Sequence, residues 1–289
     1  MRILELLGNS QRLDGGAMFG NAPRALWSRW LPPDEHGRIA LKCRALLVEH
    51  AGLRVLLETG IGNFFAPDKR ERYGVVEPSH VLCDSLAAHG MSDADVDVVI
   101  LSHLHFDHAG GLLASYSPDS APRLLFPNAR FIVGCEAFER AKRPHLRDRA
   151  SFIPELPALL EASGRLELVP SGVTASALGT DFSFVTTQGH TQGMLHTWLK
   201  GAKQSVFFCA DLVPGVPWVH LPITMGYDRC AETLVDEKVR LFEEFERSRT
   251  WLCFTHDPNV ALARIGLHSK GHFETKETHA QVARWYSLD

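Results

Sequence analysis

Residues 102–111 read Ser-His-Leu-His-Phe-Asp-His-Ala-Gly-Gly and follow directly on the apolar run 96–101, Val-Asp-Val-Val-Ile-Leu. A short apolar run of this kind reads as a buried strand. Beyond its end, His103, His105, Asp107 and His108 place four groups of metal-ligand chemistry within six positions. Neutral imidazole and carboxylate suit zinc, iron, manganese and similar divalent ions. A lone histidine is ordinarily a surface or core residue. His36, His50, His80, His89, His145, His268, His272 and His279 are read that way, but four ligand types packed together are a different signal.

Three more strand candidates end in the same chemistry. Phe182 to Val185 leads through Thr-Thr-Gln-Gly to His190, Val206 to Ala210 ends at Asp211, and Trp251 to Phe254 leads through Thr255 to His256. In sheet proteins, sites gather in loops beyond strand ends while the sheet supplies rigidity. Seven donor groups exceed the needs of one tetrahedral structural zinc. They suit two adjacent ions that share a carboxylate.

The remaining chain is read as one domain, 1–289, of α/β (α+β) class, because strands and helices are mixed along it. Strands are predicted over 40–48 and 53–58 with a turn at His50-Ala51-Gly52, and over 130–133, 166–169, 182–187, 205–209 and 251–254. Helices are predicted over 79–89, with Ser79 as N-cap and Gly90 past the end, and over 136–142 and 155–163. The clearest helix runs from Glu232 to Arg247, with Leu234, Val235, Val239, Phe242 and Phe245 on its apolar face. A terminal helix over 275–286 is expected to carry Val282 and Trp285.

The net charge of −4 disfavours nucleic-acid binding, which calls for a basic excess or stripe. The basic cluster of Arg140, Lys142, Arg143, His145, Arg147 and Arg149 reads as a solvated helix face and loop. No stretch approaches the ~20 apolar residues of a membrane span. The N-terminal apolar run is short and interrupted by Glu5, so no secretory leader and a cytoplasmic location are expected. Six cysteines form no CxxC pair, and Cys209 and Cys253 sit in apolar runs as small hydrophobes.

The stretch 102–111 resembles the signature of the metallo-β-lactamase superfamily. Gly189-His190-Thr191-Gln192-Gly193 resembles its second motif, in which Pro is commoner than Gln192. Asp211 and His256 fall where the bridging aspartate and last histidine are expected, and the resemblance covers residues from about 40 to about 260. It implies a four-layer αββα sandwich with two divalent ions at one sheet edge, zinc first among them, with iron, manganese or cobalt as alternatives. His103, His105 and His190 would hold the first ion. Asp107, His108 and His256 would hold the second, and Asp211 would bridge them. Hydroxide attack on a lactone or other ester is implied, with Asp107 passing a proton to the leaving group. Glu58-Thr59-Gly60 stands where the superfamily has Asp-Thr-Gly, and the extra methylene puts the usual contact of that acid in question.

Within the superfamily the spacing resembles quorum-quenching lactonases and the related organophosphate (methyl-parathion-hydrolase-like) enzymes, with 21 residues from His190 to Asp211 and 45 from Asp211 to His256. The stretch Asp14 to Gly20 also resembles those enzymes, so residues 1–38 are a candidate pocket-lining or dimerisation segment. Lactonases commonly place a Tyr three residues after the bridging Asp, and here that position is Pro214. Trp218, His220 and Tyr227 are candidates to lean over the site in its place. Phe19, with Met18, Trp27 and Trp30, would suit an acyl chain, an aromatic ester or a homodimer interface. The expected partner is a small-molecule ester or lactone. Phosphotriester, aryl ester, thioester or β-lactam hydrolysis on the same site are alternatives. An iron oxidoreductase is the alternative of another class.

Overall fold

The computed structural model describes residues 1–289. Its strands, in chain order, are β1 Arg2–Leu7, β2 Gln11–Asp14, β3 Arg38–Leu41, β4 Arg44–His50, β5 Leu53–Leu57, β6 Val98–Leu101, β7 Arg130–Gly134, β8 Leu166–Val169, β9 Phe182–Thr187, β10 Met194–Lys200, β11 Ser205–Phe208, β12 Trp251–Cys253, β13 Leu262–Leu267, β14 Phe273–His279 and β15 Tyr286–Ser287. Its α-helices are α1 Gly15–Phe19, α2 Arg24–Trp27, α3 Pro67–Arg72, α4 Val81–Ala88, α5 Phe106–Ala109, α6 Cys135–Lys142, α7 Leu156–Ala162 and α8 Ala231–Ser248. One sheet has the order β15-β1-β4-β5-β6-β7-β8, the other β14-β13-β12-β11-β10-β9, and β2-β3 form a separate ribbon.

Alternation along the strands sets the layers. Leu46 and Val48 of β4, with Val55, Leu57, Val98 and Ile100, join Phe184, Val206, Phe208 and Leu252 in a core between the two sheets. Their neighbours Ala45, Leu47, Leu56, Val99 and Leu101 point the other way, onto Leu82 and Leu86 of α4, Phe138 of α6 and Leu156 and Leu160 of α7. β5, β6 and β7 pair in parallel and are covered on both faces, which is why β6 reads as an unbroken apolar run. Across the second sheet, Phe245 of α8 packs on Phe207 and Trp198, with ring centroids 4.7 and 5.4 Å apart. The order of layers is therefore α, β, β, α, as expected.

Four expectations need correction. The strand over 40–48 is broken at Lys42-Cys43, because the backbone there pairs with the loop after β12: Lys42 N donates to the His256 carbonyl at 3.2 Å and Arg44 N to that of Thr255 at 3.0 Å. The terminal helix over 275–286 does not form. Residues 273–279 pair antiparallel with β13, and Tyr286-Ser287 pair with β1, since an open sheet edge offers the backbone a full ladder of partners. Helix α4 is capped by His80 rather than Ser79, the imidazole accepting from Cys83 N at 3.4 Å. On α8, Val239 is 39% exposed, while Lys238 lies in the buried stripe at 0%.

One ion pair ties β1 and β4 to the loop after β12. Arg44 and Glu5 are both buried, with Nε donating to Oε1 at 2.6 Å. The rest of the guanidinium donates to the Phe254 carbonyl and, at 3.1 Å, to that of Asp257, which brackets His256. Glu5 Oε2 accepts from Val282 N at 2.7 Å. Removing one partner of such a pair leaves a buried charge uncompensated. Arg44→Ala is expected to lower unfolding stability by about 3–5 kcal/mol, as measured by denaturant titration. A loss under 1 kcal/mol would contradict this account.

Candidate metal centre

Each donor group stands on a turn leaving a strand end. Beyond β6, residues 102–105 run extended into the single turn α5, which carries Asp107 and His108. Gly110 and Gly111 then pass so close to the 59–62 loop that an added Cβ would meet the Ile61 carbonyl at 2.2 Å and the Thr59 carbonyl at 2.1 Å. That approach lets Thr59 donate to the His108 carbonyl from both N (2.9 Å) and Oγ1 (3.0 Å). His190 follows β9, Asp211 follows β11 and His256 follows β12. Ala210, just before Asp211, has φ +43°, and Glu58 has φ +65°. Non-glycine residues held in that region cost about 1–3 kcal/mol each and persist where the surroundings over-determine them.

The inward atoms form two sets. In one, His103 Nε2 lies 2.9 Å from His105 Nδ1, which lies 3.3 Å from His190 Nε2, and His190 Nε2 lies 3.1 Å from Asp211 Oδ2. In the other, His108 Nε2 and His256 Nε2 are 3.2 Å apart and stand 3.2 and 3.1 Å from Asp211 Oδ1. Asp107 Oδ2 is 3.8 and 3.7 Å from the same two nitrogens. The atoms within each set all lie within 4.8 Å of one another: His103, His105, His190 and Asp211 in one, Asp107, His108 and His256 in the other. Glu58 also falls within that distance of His103 and His108, but it contacts His108 through Nδ1, from behind.

The outward ring atoms explain the orientations. His108 Nδ1 donates to Glu58 Oε2 at 2.8 Å, His190 Nδ1 to Asp228 Oδ1 at 2.8 Å, and His256 Nδ1 to the Lys42 carbonyl at 2.7 Å. Ser102 Oγ lies 2.8 Å from His103 Nδ1. With Nδ1 engaged from behind, Nε2 is the ring atom turned inward, the one that would bind a cation. His105 is the exception and turns Nδ1 inward. The doubt over Glu58 is resolved: its carboxylate reaches His108 and also accepts from Ser102 N at 2.8 Å.

Burial, reinforced by the neighbouring imidazoles, pushes His103 and His105 well below the ordinary histidine range. Burial also opposes charge on His108 and His256, but the Asp211 carboxylate overcomes it and holds both well above that range. For Asp211 itself, burial favours the neutral acid, yet His108, His190 and His256 keep it well below the usual carboxylate range. A buried carboxylate thus gathers positive charge on both sides. Its Oδ1 is buried without a well-aligned hydrogen bond. Unprotonated nitrogens facing each other at 2.9 Å, beside an anion short of donors, are the chemistry two divalent cations would satisfy.

Above this floor opens a cavity of about 160 Å³, walled by Leu13, Met18, Leu41, Tyr73, Phe106, Met225 and Tyr227. Of the four pocket residues expected, Tyr227 lies in this wall. Phe19 and Trp218 do not, being buried one layer behind. Phe19 is stacked between Trp27 at 5.5 Å and Trp218 at 4.6 Å, and Trp218 Nε1 donates to the Met18 carbonyl at 3.0 Å. His220 lies outside the wall, 6.4 Å from His272 by ring centroid. The stack instead clamps the N-terminal segment over the site, which is how Leu13 and Met18 reach the wall. Asp228, Tyr73, Phe106 and Met225 were not anticipated. Asp228 sits in a loop without periodicity or motif, so no local signal marks it. A wider cleft of about 810 Å³ opens at the other end of β6, where Arg2, Glu49, Arg54 and Asp95 are already paired with one another.

A model of the metallo-beta-lactamase superfamily matches residues 38–243, more than half of the chain. The chain belongs to the metallo-beta-lactamase superfamily. Probable metallo-hydrolases of Mycobacterium tuberculosis and Mycobacterium bovis are 27% identical over 188 residues, which is 60% of this chain and 57% of theirs. The chain thus spans little more than half the length of these curated relatives. Among solved structures, a probable metal-dependent hydrolase from Staphylococcus aureus shares the fold with a TM-score of 0.85 at 24% identity, covering 96% of each chain. A dizinc quorum-quenching lactonase in complex with its product superposes with a TM-score of 0.74 at 20% identity, over 95% of this chain and 93% of that one. A hydrolase of the beta lactamase superfamily gives 0.72 at 20% identity, over 96% and 94%.

Asp228 fixes the ring of His190, so its loss should be felt by a cation bound there. Asp228→Asn is expected to weaken zinc binding about 10–100-fold in competition with a chelator. Wild-type affinity in the variant would show that the His190 ring needs no such partner.

Proposed function

We propose that this chain is a hydrolase of uncharged lactones or other esters, acting with two divalent cations, zinc first among them. The observation that carries this reading is the Asp211 carboxylate, whose two oxygens are divided between two sets of donor atoms beneath an apolar cavity. His103, His105 and His190 would hold one cation, Asp107, His108 and His256 the other, and Asp211 both. When bound, such a pair lowers the pKa of water from ~15.7 to about 7 and polarises the bond under attack.

The chain's own residues supply the rest. Asp107 is the ligand-type side chain with the most access, 15% exposed, and it lies on the cavity floor. It is placed to accept the proton released by the attacking water and to pass it to the departing alkoxide. Tyr227 shares that cavity; burial, then Asp107, then Asp14 push its hydroxyl above its ordinary value. It therefore stays protonated and is available to donate to a substrate oxygen, the part that Pro214 cannot play. The wall holds no Lys or Arg, so it offers an anionic substrate no partner. The cavity wall is mostly apolar, which favours an acyl or aromatic group over a charged one. The lactonase and hydrolase folds found among the solved structures support the same reading.

The test is a substrate panel with the metal-loaded full chain, comparing lactones, aryl esters, thioesters, phosphotriesters, β-lactams and phosphate monoesters. Chelator-sensitive turnover of one of the uncharged classes is expected, with Asp107→Asn, assayed in enough added metal to fill both sites, lowering kcat about 10²–10⁴-fold. A protein holding two zinc ions and inert towards every uncharged ester would overturn the proposal. Near-normal kcat in the Asp107 variant would remove the proton-transfer role.

A further inference from the structure

Lys238 sits in the middle of the buried stripe of α8, between Leu234 and Leu241, with no exposed surface. An ammonium out of water is costly unless each of its donors is used. Lys238 Nζ donates to the carbonyls of His220 at 3.2 Å, Leu221 at 3.0 Å and Ile223 at 3.0 Å. An ammonium has three donors and no acceptor, so three carbonyls satisfy it completely. No carboxylate pairs with it directly. Burial pushes the group down to about 7, and the acid whose field works against that fall is Asp228.

The three carbonyls belong to a stretch with neither helix nor strand, residues 220–229. This stretch runs from the Lys238 contact into the site. Met225 and Tyr227 wall the cavity, and Asp228 accepts a hydrogen bond from His190 Nδ1. Asp228 Oδ2 accepts from Met225 N at 2.6 Å, Gly226 N donates to the Ala17 carbonyl at 2.8 Å, and Arg229 N donates to the His190 carbonyl at 3.1 Å. At its N-terminal end, side-chain donation to the backbone comes from Lys238.

We propose that Lys238 is a positioning residue for the metal centre: by gathering the carbonyls of residues 220–223 it sets the loop that presents Asp228 to His190 and closes the cavity with Met225 and Tyr227. It touches neither substrate nor any donor atom of the centre and acts through Asp228 and the loop. The inference rests on the proposed metal centre for the role of His190, but not on the ester chemistry. A methionine in the same stripe would fill similar space without a charge to desolvate, and replacing buried charge by packed apolar groups is often tolerated. An ammonium here is therefore explained by what it holds.

The experiment compares zinc affinity, by chelator competition on the full chain, for the wild type, Lys238→Met, Asp228→Asn and the double variant. Each single change is expected to weaken zinc binding about 10–100-fold, and the double variant no more than the weaker single. Unchanged affinity in Lys238→Met, or losses that multiply in the double variant, would overturn the inference. Should Lys238→Met fail to fold, amide exchange of the wild type decides. The amides of Met225, Gly226 and Arg229 are expected to exchange as slowly as those of α8, and rapid exchange there would refute the clamp. A wild type that binds zinc but hydrolyses no ester would sink the hydrolase reading and leave this inference standing. Full ester activity with unaltered zinc affinity in Lys238→Met would do the reverse.

Discussion

A single buried carboxylate, Asp211, governs the layout of this molecule. Both of its oxygens face the protein interior, one towards His190 and the other towards His108 and His256, each at 3.1–3.2 Å. A buried carboxylate is tolerable only when opposite charge surrounds it. That constraint demands that four separate strand ends converge on one point. A two-sheet sandwich meets the demand, because β6, β9, β11 and β12 deliver their C-terminal ends to the same region while the cores hold them rigid. The strained backbone at Ala210 and Glu58 stands beside the groups that must be aimed most closely. Strain of this kind survives only where the surrounding contacts outweigh it.

Around that centre the protein is organised by which nitrogen of each ring faces outward. Glu58, Asp228 and the Lys42 carbonyl each accept a hydrogen bond from an Nδ1 and so turn Nε2 inward. Two of these acceptors come from the first quarter of the chain and one from the last, and each has its own support. Lys42 is held by its pairing with the His256 backbone, Glu58 by Ser102 N, and Asp228 by Met225 N together with the loop beneath which Lys238 sits. Local changes far from the donors therefore reach them through a short series of hydrogen bonds.

How much of this is legible in the sequence depends on whether the signal is local. The seven residues proposed to hold the cations are legible because each lies one to seven positions beyond an apolar run, and His103 to His108 lie within six positions of one another. The α/β class and most strands follow from the same runs. Glu58 is visible only as a departure, since no pattern tells that its longer side chain still reaches His108. Asp228 and Lys238 act through contacts with partners 38 and 15–18 residues away, and nothing near them in sequence announces it. Hydrophobicity misleads in two places: Val239 counts as apolar face while the structure buries Lys238, and the terminal segment pairs with a sheet edge instead of coiling. Phe19 and Trp218 read as pocket aromatics, yet they stack on each other beneath the pocket wall and hold it from behind.

The central claim is that Asp211 joins two cation sites in one centre. It is tested most directly by counting divalent metal per chain, by elemental analysis of the purified wild type and of Asp211→Ala. Two equivalents are expected in the wild type, with a marked loss of bound metal in the variant. A wild type holding one equivalent or none after metal loading, or an Asp211→Ala protein that keeps two, would contradict it.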